Sequence, residues 1–315
     1  MKIYISNQIP NQIRENLPQN NVTYLNSSSI TESDYSQIEV AWGLDATVKD
    51  ILNQNDHRLK WIQSFSAGVD YFPKEQIASQ NIMVTNTSGV HSVAIANTTL
   101  LYALFFNRDL NLALDMRNQK QWNDKRNYNQ LGLLTKKRWL IFGTGHIGSE
   151  IAREVRLLGG TTVGVNHTGH SAENFDSTVS DTNYDSELKK ADIVVNILPL
   201  TDETHHMFNA DFFEKLDHLF LFINVGRGPS VNTADLIDAL DSGRVEHAAL
   251  DVFEEEPLPS SSPLWNYKQV LITPHNSSVS SEMLPGVKEV FLTNLKSFLK
   301  DGKPSEKIVD LSKGY

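Results

Sequence analysis

The fold of this chain is decided by one stretch, Trp139-Leu140-Ile141-Phe142-Gly143-Thr144-Gly145-His146-Ile147-Gly148. The apolar run at 139–142 is typical of a buried parallel strand, and a Gly-x-Gly-x-x-Gly turn follows it. Apolar residues then recur at helical spacing until adjacent glycines end the pattern at 159–160. The stretch therefore predicts a strand, a glycine turn and a helix in succession.

Each glycine of this turn has a mechanical reason. Gly143 permits the tight turn, Gly145 lets a pyrophosphate approach the backbone, and Gly148 lets the helix pack closely on the strand. The helix N-terminus presents N–H groups and a positive dipole end to the phosphates. The turn predicts a dinucleotide site formed by Gly143, Thr144, Gly145, His146, Ile147 and Gly148.

Length and composition bound the class of protein. At 315 residues the chain is long enough for two domains, and 40% hydrophobic with 21% charged residues is ordinary for a soluble globular protein. The chain contains no cysteine, which excludes disulfides, thiolate metal sites and cysteine nucleophiles. The formal net charge of -10 argues against nucleic-acid and membrane partners, because those surfaces are met by basic patches.

The N-terminal residues predict where the protein resides. From Lys2 the chain enters an alternating strand pattern without the apolar segment of a signal peptide, and no apolar run is long enough to span a bilayer. We therefore expect a cytoplasmic protein. His205 and His206 resemble a metal pair only superficially, since no carboxylate follows at helical spacing, and no metal site is expected.

The chain divides into two α/β halves. Short apolar segments alternate with helical ones from Met1 to about Asn97, as in a parallel sheet covered by helices, but this half lacks a phosphate loop. The second half contains six predicted strands, which match two mononucleotide-binding halves. A long helix from Ser92 to about Asn118 and a final helix at about 281–300 are expected to connect the domains. We predict a discontinuous first domain, residues 1–97 with 281–315, and a second domain, residues 98–280.

Three stretches of the second half place unusual polar groups at or beyond strand ends, where ligands bind in open parallel sheets. They contain Arg227, Glu256 and His275. Reduction of a 2-oxo acid by a nicotinamide needs a cation for the carboxylate and carbonyl, and arginine has the planar fork for this. It also needs an acid for the new alkoxide, which suits histidine, and a carboxylate that keeps this acid protonated, which suits glutamate.

This set of motifs resembles the D-isomer-specific 2-hydroxyacid dehydrogenase family. The likeness is carried by the three stretches above and by Gln63-Ser64-Phe65-Ser66-Ala67-Gly68-Val69-Asp70, Asn86-Thr87-Ser88-Gly89-Val90 and Leu198-Pro199-Leu200-Thr201-Asp202-Glu203-Thr204. Arg227, the Glu256 that precedes Pro257, and His275 match the family's catalytic arginine, glutamate and histidine.

The resemblance implies two Rossmann-like α/β domains, a flavodoxin-like substrate domain and a doubly wound NAD(P)-binding domain, linked by two crossing helices. It implies that the N–H groups of Ala67 and Gly68 hold the substrate carboxylate, with Arg227 and His275 also contacting the substrate. It further implies a homodimer formed through the cofactor domain. The cofactor-binding residues that it implies beyond the glycine turn are Leu198, Pro199, Thr204, Val225 and Asp251.

The second strand of the cofactor domain ends without the acidic residue that normally accepts hydrogen bonds from the ribose diol of NAD. The chain reads Asn166-His167-Thr168-Gly169-His170 there, and no acid occurs before Glu173. Without that carboxylate nothing repels a 2′-phosphate, so NADP(H) is the expected cofactor, with NAD(H) also possible. Asn166, His167 and Thr168 are expected to contact the phosphate, although no arginine is present to clamp it.

Two further features compare the chain with members of this family. Asn97 stands where many relatives have a glutamate, and Pro263-Leu264-Trp265 together with the missing acid resembles the glyoxylate/hydroxypyruvate reductase branch. We therefore expect an oxidoreductase that reduces a small 2-oxo acid to the D-2-hydroxy acid by hydride transfer from NAD(P)H. The alternatives are an NAD-dependent D-lactate or phosphoglycerate dehydrogenase and, from another class, a nucleotide-sensing binding protein.

Overall fold

A computed structural model describes residues 1–19, 21–122 and 131–311 of the chain. It forms two compact units, Met1–His91 with Ser280–Tyr315, and Ser92–Val279. The first unit thus ends at His91 and the second begins at Ser92, whereas the sequence predicted this boundary after Asn97. The helix that begins at Ser92 lies in the second unit because Ile95 and Ala96 are buried in the core of that unit.

The helices and strands have the following bounds. The strands are β1 (Lys2–Ile5), β2 (Thr23–Asn26), β3 (Ile38–Trp42), β4 (Trp61–Gln63), β5 (Met83–Thr85), β6 (Arg138–Phe142), β7 (Thr161–Asn166), β8 (Ser177–Ser180), β9 (Ile193–Asn196), β10 (Leu219–Asn224), β11 (Val245–Leu250) and β12 (Val270–Ile272). The helices are α1 (Asn11–Arg14), α2 (Glu32–Tyr35), α3 (Ala46–Leu52), α4 (Lys74–Ser79), α5 (Ser92–Asn107), α6 (Leu110–Gln119), α7 (His146–Leu157), α8 (Asp185–Leu188), α9 (Ala210–Glu214), α10 (Thr233–Asp241) and α11 (Met283–Asp301).

The first unit is built on a parallel five-stranded sheet with the order β2-β1-β3-β4-β5. This is the flavodoxin-like order, in which the chain reverses its direction of winding beside β1. Helix α11 returns to this unit and packs on the sheet, where Phe291 stacks on Trp42 with ring centroids 4.0 Å apart. The apolar strands are buried between layers of helices, as parallel strands normally are.

The second unit is built on a parallel seven-stranded sheet with the order β12-β11-β10-β9-β6-β7-β8. Counted from β6, this is the doubly wound order of a dinucleotide-binding domain with one added strand. Winding reverses between β6 and β9, and ligands of such sheets bind at that point, beyond the carboxyl ends of the strands. The predicted α/β class, with two Rossmann-like parallel sheets, is confirmed.

Two local features complete the second unit. The stretch that ends at Ser180 contains the edge strand β8, which pairs with β7 in parallel. Its side chains are only partly buried or exposed, so no apolar alternation announces it. Helix α10 is capped by Asn232, whose side chain accepts a hydrogen bond from the N–H of Asp235 at 3.2 Å.

The long helix predicted from Ser92 to about Asn118 is two helices, α5 and α6. The break lies at Asp109, which has a left-handed φ of 48° and whose carboxylate accepts a hydrogen bond from the N–H of Leu112 at 3.3 Å. An aspartate that caps a helix in this way starts a new one. On α5, Asn97 donates to Glu154 of α7 at 2.9 Å, which shows what this departure from the family pattern does locally.

The described residues contain neither a membrane-spanning helix nor a cluster of metal ligands. None of the described helices combines the length and apolarity that crossing a bilayer would require. Among residues 1–19, 21–122 and 131–311, no group of three or more His, Asp or Glu side chains is arranged to hold a metal ion. His206 instead pairs with Glu254, with Nε2 lying 2.7 Å from Oε1.

Candidate active site

The glycine turn lies between β6 and α7, at the point where the winding of the sheet reverses. Gly143 has a φ of 109°, which favours glycine, and a Cβ on Gly148 would lie 2.1 Å from the carbonyl oxygen of Gly143. A Cβ on Gly145 would meet no atom within 4 Å, and no side chain caps α7 there. The residues present therefore fit a pyrophosphate, because the helix N-terminus opens onto space and still has N–H groups to donate.

The end of β7 lies beside this turn. Asn166 donates to the Thr144 hydroxyl at 3.1 Å and to the His170 carbonyl at 2.9 Å, which orders the chain after the strand. Nδ1 of His167 lies 2.9 Å from Oδ2 of Asp181, the residue that follows β8. A carboxylate is therefore present at this edge of the sheet, but it belongs to Asp181 after the neighbouring strand. The sequence of β7 alone could not predict it.

The loop after β9 contains three of the predicted cofactor-binding residues, Leu198, Pro199 and Thr204. The Thr204 hydroxyl donates to the Pro199 carbonyl at 2.7 Å and accepts from the N–H of Thr201 at 2.8 Å. The threonine therefore closes this loop on itself at the carboxyl edge of the sheet. Val225, another of the predicted contacts, is buried directly after β10.

Two buried asparagines anchor the loops at the centre of the sheet. Asn196 and Asn224 end the paired strands β9 and β10 opposite one another, and Nδ2 of Asn196 lies 3.0 Å from Oδ1 of Asn224. Asn196 also donates to the Ser230 hydroxyl at 2.6 Å, and that hydroxyl donates to the Arg227 carbonyl at 2.6 Å. The backbone of Arg227 is thus tied to two strand ends.

Arg227 follows β10 in a loop that packs on the loop after β11. A Cβ on Gly228 would lie 1.8 Å from the carbonyl oxygen of Phe253, so only glycine allows this approach. Nη1 of Arg227 donates to the carbonyl of Gly226 at 2.9 Å, and the side chain is partly buried. The glycines on both sides of the arginine therefore serve packing rather than a solvated turn.

Glu256 and His275 are directly bonded. Nδ1 of His275 lies 2.8 Å from Oε2 of Glu256, and because a carboxylate only accepts, Nδ1 carries the hydrogen. The other oxygen of Glu256 accepts from the N–H of Phe253 at 3.0 Å, which fixes the carboxylate. The histidine side chain is 50% exposed, so its second nitrogen is accessible for proton transfer.

Asp251 ends β11 and is completely buried. One carboxylate oxygen accepts from the Thr273 hydroxyl at 2.6 Å and from the N–H of Asn276 at 2.9 Å, and the other accepts from the N–H of Ser277 at 3.0 Å. Tyr102 of α5 hydrogen-bonds Thr273 in turn, and burial raises the pKa of its phenol. Asp251 therefore shapes the loop that carries His275.

Comparison with known proteins identifies the family. Residues 100–277 match the model of the D-isomer specific 2-hydroxyacid dehydrogenase NAD binding domain. The chain belongs to the D-isomer specific 2-hydroxyacid dehydrogenase family. The matched region is more than half of the chain and includes the glycine turn, Arg227, Glu256 and His275. The resemblance inferred from the motifs is confirmed, and the protein is an NAD(P)-dependent oxidoreductase.

Individual relatives of this dehydrogenase agree with that assignment. The chain is 31% identical over 280 residues to glyoxylate/hydroxypyruvate reductase B of Shigella flexneri, covering 88% of this chain and 86% of that protein. It is 25% identical to an NADPH-dependent glyoxylate/hydroxypyruvate reductase from Sinorhizobium meliloti, solved with NADP and sulfate, covering 100% and 99% of the two chains with a TM-score of 0.84. It is 36% identical to phosphoglycerate dehydrogenase from Lactobacillus plantarum, covering 98% and 100% with a TM-score of 0.59.

The first unit of this dehydrogenase carries the predicted substrate-binding turn after β4. The Ala67 carbonyl accepts from the Asn86 amide at 2.9 Å, and the Gly68 carbonyl accepts from the Ser66 hydroxyl at 2.9 Å. Within the described part of the chain, the N–H groups of Ala67 and Gly68 donate to no other residue. The turn is therefore held by its carbonyls and keeps these two donors available.

Several residues that support these loops in the dehydrogenase were not predicted from the sequence. Gln63 is buried, donates to the Ser64 carbonyl at 3.0 Å and to the Asn86 carbonyl at 3.1 Å, and so joins the loops after β4 and β5. Asn196 and Asn224 do the same between β9 and β10. Their signal in the sequence is the single amide residue that ends each apolar run. An amide buried at such a place needs hydrogen-bond partners.

Proposed function

We propose that this protein reduces a small 2-oxo acid, of the glyoxylate or hydroxypyruvate class, to the D-2-hydroxy acid with NADPH. The observation that carries the proposal is the hydrogen-bonded pair of His275 and Glu256, at 2.8 Å, on loops beside the one that carries Arg227. A paired imidazole and carboxylate near an arginine supply an acid, its support and a cation for an anionic substrate. The names of the Shigella and Sinorhizobium relatives support this choice of substrate class.

In this proposal His275 is the acid. When hydride adds to the carbonyl carbon, the oxygen becomes an alkoxide, and the imidazolium of His275 gives it a proton. Glu256 accepts the hydrogen bond from Nδ1, which turns the opposite nitrogen to the substrate and favours the charged ring before transfer. The proton is replaced from solvent, because the side chain is half exposed.

Arg227 and the turn at Ala67 and Gly68 are proposed to hold the substrate. The guanidinium fork suits the carboxylate and the carbonyl oxygen together, which orients the carbonyl and stabilises the charge that develops on it. The N–H groups of Ala67 and Gly68 are proposed as further donors to the carboxylate. These contacts favour an acid that carries its carboxylate directly beside the carbonyl.

The cofactor supplies the hydride when it is bound. The proposed contacts are the open N-terminus of α7 for the pyrophosphate and Asn166, His167 and Thr168 for the 2′-phosphate of NADPH. The remaining proposed contacts are Thr144, His146, Ile147, Leu198, Pro199, Thr204, Val225 and Asp251. Support for NADPH comes from the absence of an acid at the end of β7 and from the cofactor named for the Sinorhizobium relative.

Assembly through the second unit is a further proposal. The leucines Leu101, Leu104, Leu112 and Leu114 of α5 and α6 are all exposed, and contacts between copies would bury them. We therefore propose a homodimer formed through this unit. A cytoplasmic location stays a prediction from the sequence.

The test is steady-state kinetics with glyoxylate, hydroxypyruvate, pyruvate and 3-phosphohydroxypyruvate, each with NADPH and NADH. We expect the highest kcat/KM for glyoxylate or hydroxypyruvate with NADPH, and a loss of roughly 100-fold or more for His275→Gln and Arg227→Gln. Turnover within a few-fold of the parent in both variants would show that these roles are wrong.

The same experiment covers the alternatives. Preference for NADH with pyruvate or 3-phosphohydroxypyruvate would instead indicate a D-lactate or phosphoglycerate dehydrogenase. Nucleotide binding without turnover of any substrate would indicate a nucleotide-sensing protein. Glu255→Gln is the matched control, because Glu255 is exposed in the same acidic run as Glu256.

A further inference from the structure

Strand β8, which was not among the six strands predicted for the second half, brings an acidic residue to the cofactor edge of the sheet. β7 and β8 are parallel, and Asn166 is opposite Ser180 at their carboxyl ends. The residues that directly follow the two strands, His167 and Asp181, are therefore also next to each other. Nδ1 of His167 lies 2.9 Å from Oδ2 of Asp181.

The two members of this pair have different environments. Asp181 is held in place, since its N–H donates to the Asn166 carbonyl at 3.0 Å, and its Oδ1 is buried without a hydrogen-bond partner among the described residues. The His167 side chain is 90% exposed. Because the carboxylate only accepts, Nδ1 carries the hydrogen, which leaves Nε2 on the exposed side of the ring.

This arrangement makes the chemistry of Nε2 depend on one proton. When the ring is neutral, Nε2 is an acceptor and has nothing to offer a phosphate. When the ring is protonated, Nε2 becomes a charged donor while Nδ1 stays bonded to Asp181. A charged donor forms a strong hydrogen bond to phosphate oxygens, whereas a ribose hydroxyl can pair with either form of the ring.

We propose that Asp181 determines cofactor specificity by positioning His167, so that the protonated ring binds the 2′-phosphate of NADP(H). The inference rests on the proposed function and deepens it, since it assigns the NADP preference to a histidine-carboxylate pair in place of the arginine that the chain lacks there. Binding of a 2′-phosphate is then coupled to uptake of a proton. Binding of the unphosphorylated ribose of NAD(H) is not.

The titratable groups around His167 fit this coupling. Asp181 faces it from the end of β8, and Glu203 faces it from the loop after β9. The pKa of Glu203 is lowered, chiefly by a hydrogen bond from Thr201 and to a smaller extent by the charge of His167. His170 is the other neighbouring imidazole, with Nδ1 lying 2.9 Å from the Thr168 hydroxyl.

The same geometry has an opposite consequence if His167 does not take up a proton. Asp181 would then act as the missing acid of the NAD-binding pattern, and its negative charge would repel a 2′-phosphate. The two cases differ in sign for Asp181→Asn. Removing the charge weakens phosphate binding if Asp181 supports the imidazolium, and strengthens it if Asp181 repels the phosphate.

The experiment is calorimetric titration of the whole protein with adenosine 2′,5′-bisphosphate and adenosine 5′-phosphate, at pH 6.5, 7.5 and 8.5. These probes carry no nicotinamide, so binding is measured without the reaction. We expect the bisphosphate to bind more tightly at pH 6.5 than at pH 8.5, because only the protonated ring donates from Nε2, and the affinity for the monophosphate to change little. Buffers of different ionisation enthalpy are expected to show proton uptake with the bisphosphate.

The phosphates of the probes also take up a proton, at about pH 6. Variants are therefore needed to assign the proton uptake to the pair of His167 and Asp181. His167→Gln is expected to abolish the proton uptake, and Asp181→Asn to weaken bisphosphate binding about tenfold at pH 7.5 while leaving monophosphate binding within about twofold. Glu246→Gln is the matched control. It removes a carboxylate that pairs with His218 at 3.4 Å near the amino end of β11, at the opposite edge of the sheet.

The outcomes distinguish this inference from the proposed function. Tighter bisphosphate binding in Asp181→Asn, or unchanged binding of both probes, would overturn the inference and leave the reductase intact. Failure of the parent protein to bind either probe at any pH would overturn the dinucleotide site itself, and the inference with it.

Discussion

Nδ1 of His275 lies 2.8 Å from Oε2 of Glu256, and this bond joins the loops that follow the adjacent strands β12 and β11. Both partners are fixed independently. Glu256 also accepts from the N–H of Phe253, and the N–H of His275 donates to the Asp251 carbonyl at 2.8 Å. The imidazole is therefore oriented before any substrate arrives, which is what a positioned general acid requires.

Glu256→Gln tests the support that the carboxylate gives to the histidine. In the proposed reaction His275 gives a proton to the alkoxide, and Glu256 accepts the hydrogen bond from its Nδ1. Glutamine keeps the size of the side chain but brings no negative charge to the imidazolium, so we expect kcat/KM to fall about tenfold or more. The measurement is kcat/KM for glyoxylate at pH 7.5.

The control for this prediction is Glu255→Gln, which removes the neighbouring exposed charge without touching His275. Its kcat/KM should lie within about twofold of that of the parent. A kcat/KM of Glu256→Gln equal to that of Glu255→Gln would mean that the carboxylate of Glu256 does not support the acid.

The sequence predicted most of the fold because the deciding patterns are local. An apolar run, a glycine turn and a helix are contiguous at 139–158, where the structure has β6, the turn and α7. Patterns failed where an element has no strong periodicity of its own. Strand β8 is a polar edge strand, and the break between α5 and α6 depends on Asp109, which caps a helix inside a leucine-rich run.

The candidate site divides in the same way. Arg227, Glu256 and His275 were predicted from residue type at strand ends, because few other residues perform such chemistry. Asp181 was not, because its relation to His167 depends on the register between β7 and β8, and register is a property of two strands. The buried amides of Asn196 and Asn224 likewise make sense only as a pair.

Gly145 and Gly148 separate cofactor binding from folding. A Cβ on Gly145 would project into open space, whereas a Cβ on Gly148 would lie 2.1 Å from the Gly143 carbonyl oxygen. We expect Gly145→Ala to leave the melting temperature within about 1–2 °C and to weaken NADPH binding at least tenfold, since the added methyl occupies the place of the pyrophosphate. Gly148→Ala is expected to lower the melting temperature by several degrees.

The measurements are differential scanning calorimetry without nucleotide and fluorescence titration with NADPH. Gly148→Ala serves as the comparison, because it adds the same methyl group three residues further along the turn. If Gly145→Ala bound NADPH as the parent does, the pyrophosphate would not pass over this turn. If Gly145→Ala melted like Gly148→Ala, the space above Gly145 would belong to the packed fold.

At the opposite edge of the same sheet, described residues line a cavity of about 440 Å³, whose wall includes His247 of β11. The His247 ring stacks on Phe106, with centroids 4.4 Å apart, and meets the edge of Phe220. Its Nδ1 is buried without a partner among the described residues. Burial lowers the pKa of His247, although Glu246 and Asp109 oppose the change.

His247 therefore makes the second unit sensitive to mild acid. Because its pKa is lower in the folded protein, the unfolded chain takes up the proton first as the pH falls. The stability tied to the neutral ring is complete above about pH 6.5 and is lost progressively below it, towards the lowered pKa.

His247→Phe keeps the aromatic stack and removes the titration. Between pH 7.5 and 5.5 we expect its melting temperature to fall by about 2–4 °C less than that of the parent, measured by scanning calorimetry. His205→Asn, at an exposed histidine of the same unit, should follow the parent, and an equal acid sensitivity in His247→Phe would place the titrating group elsewhere.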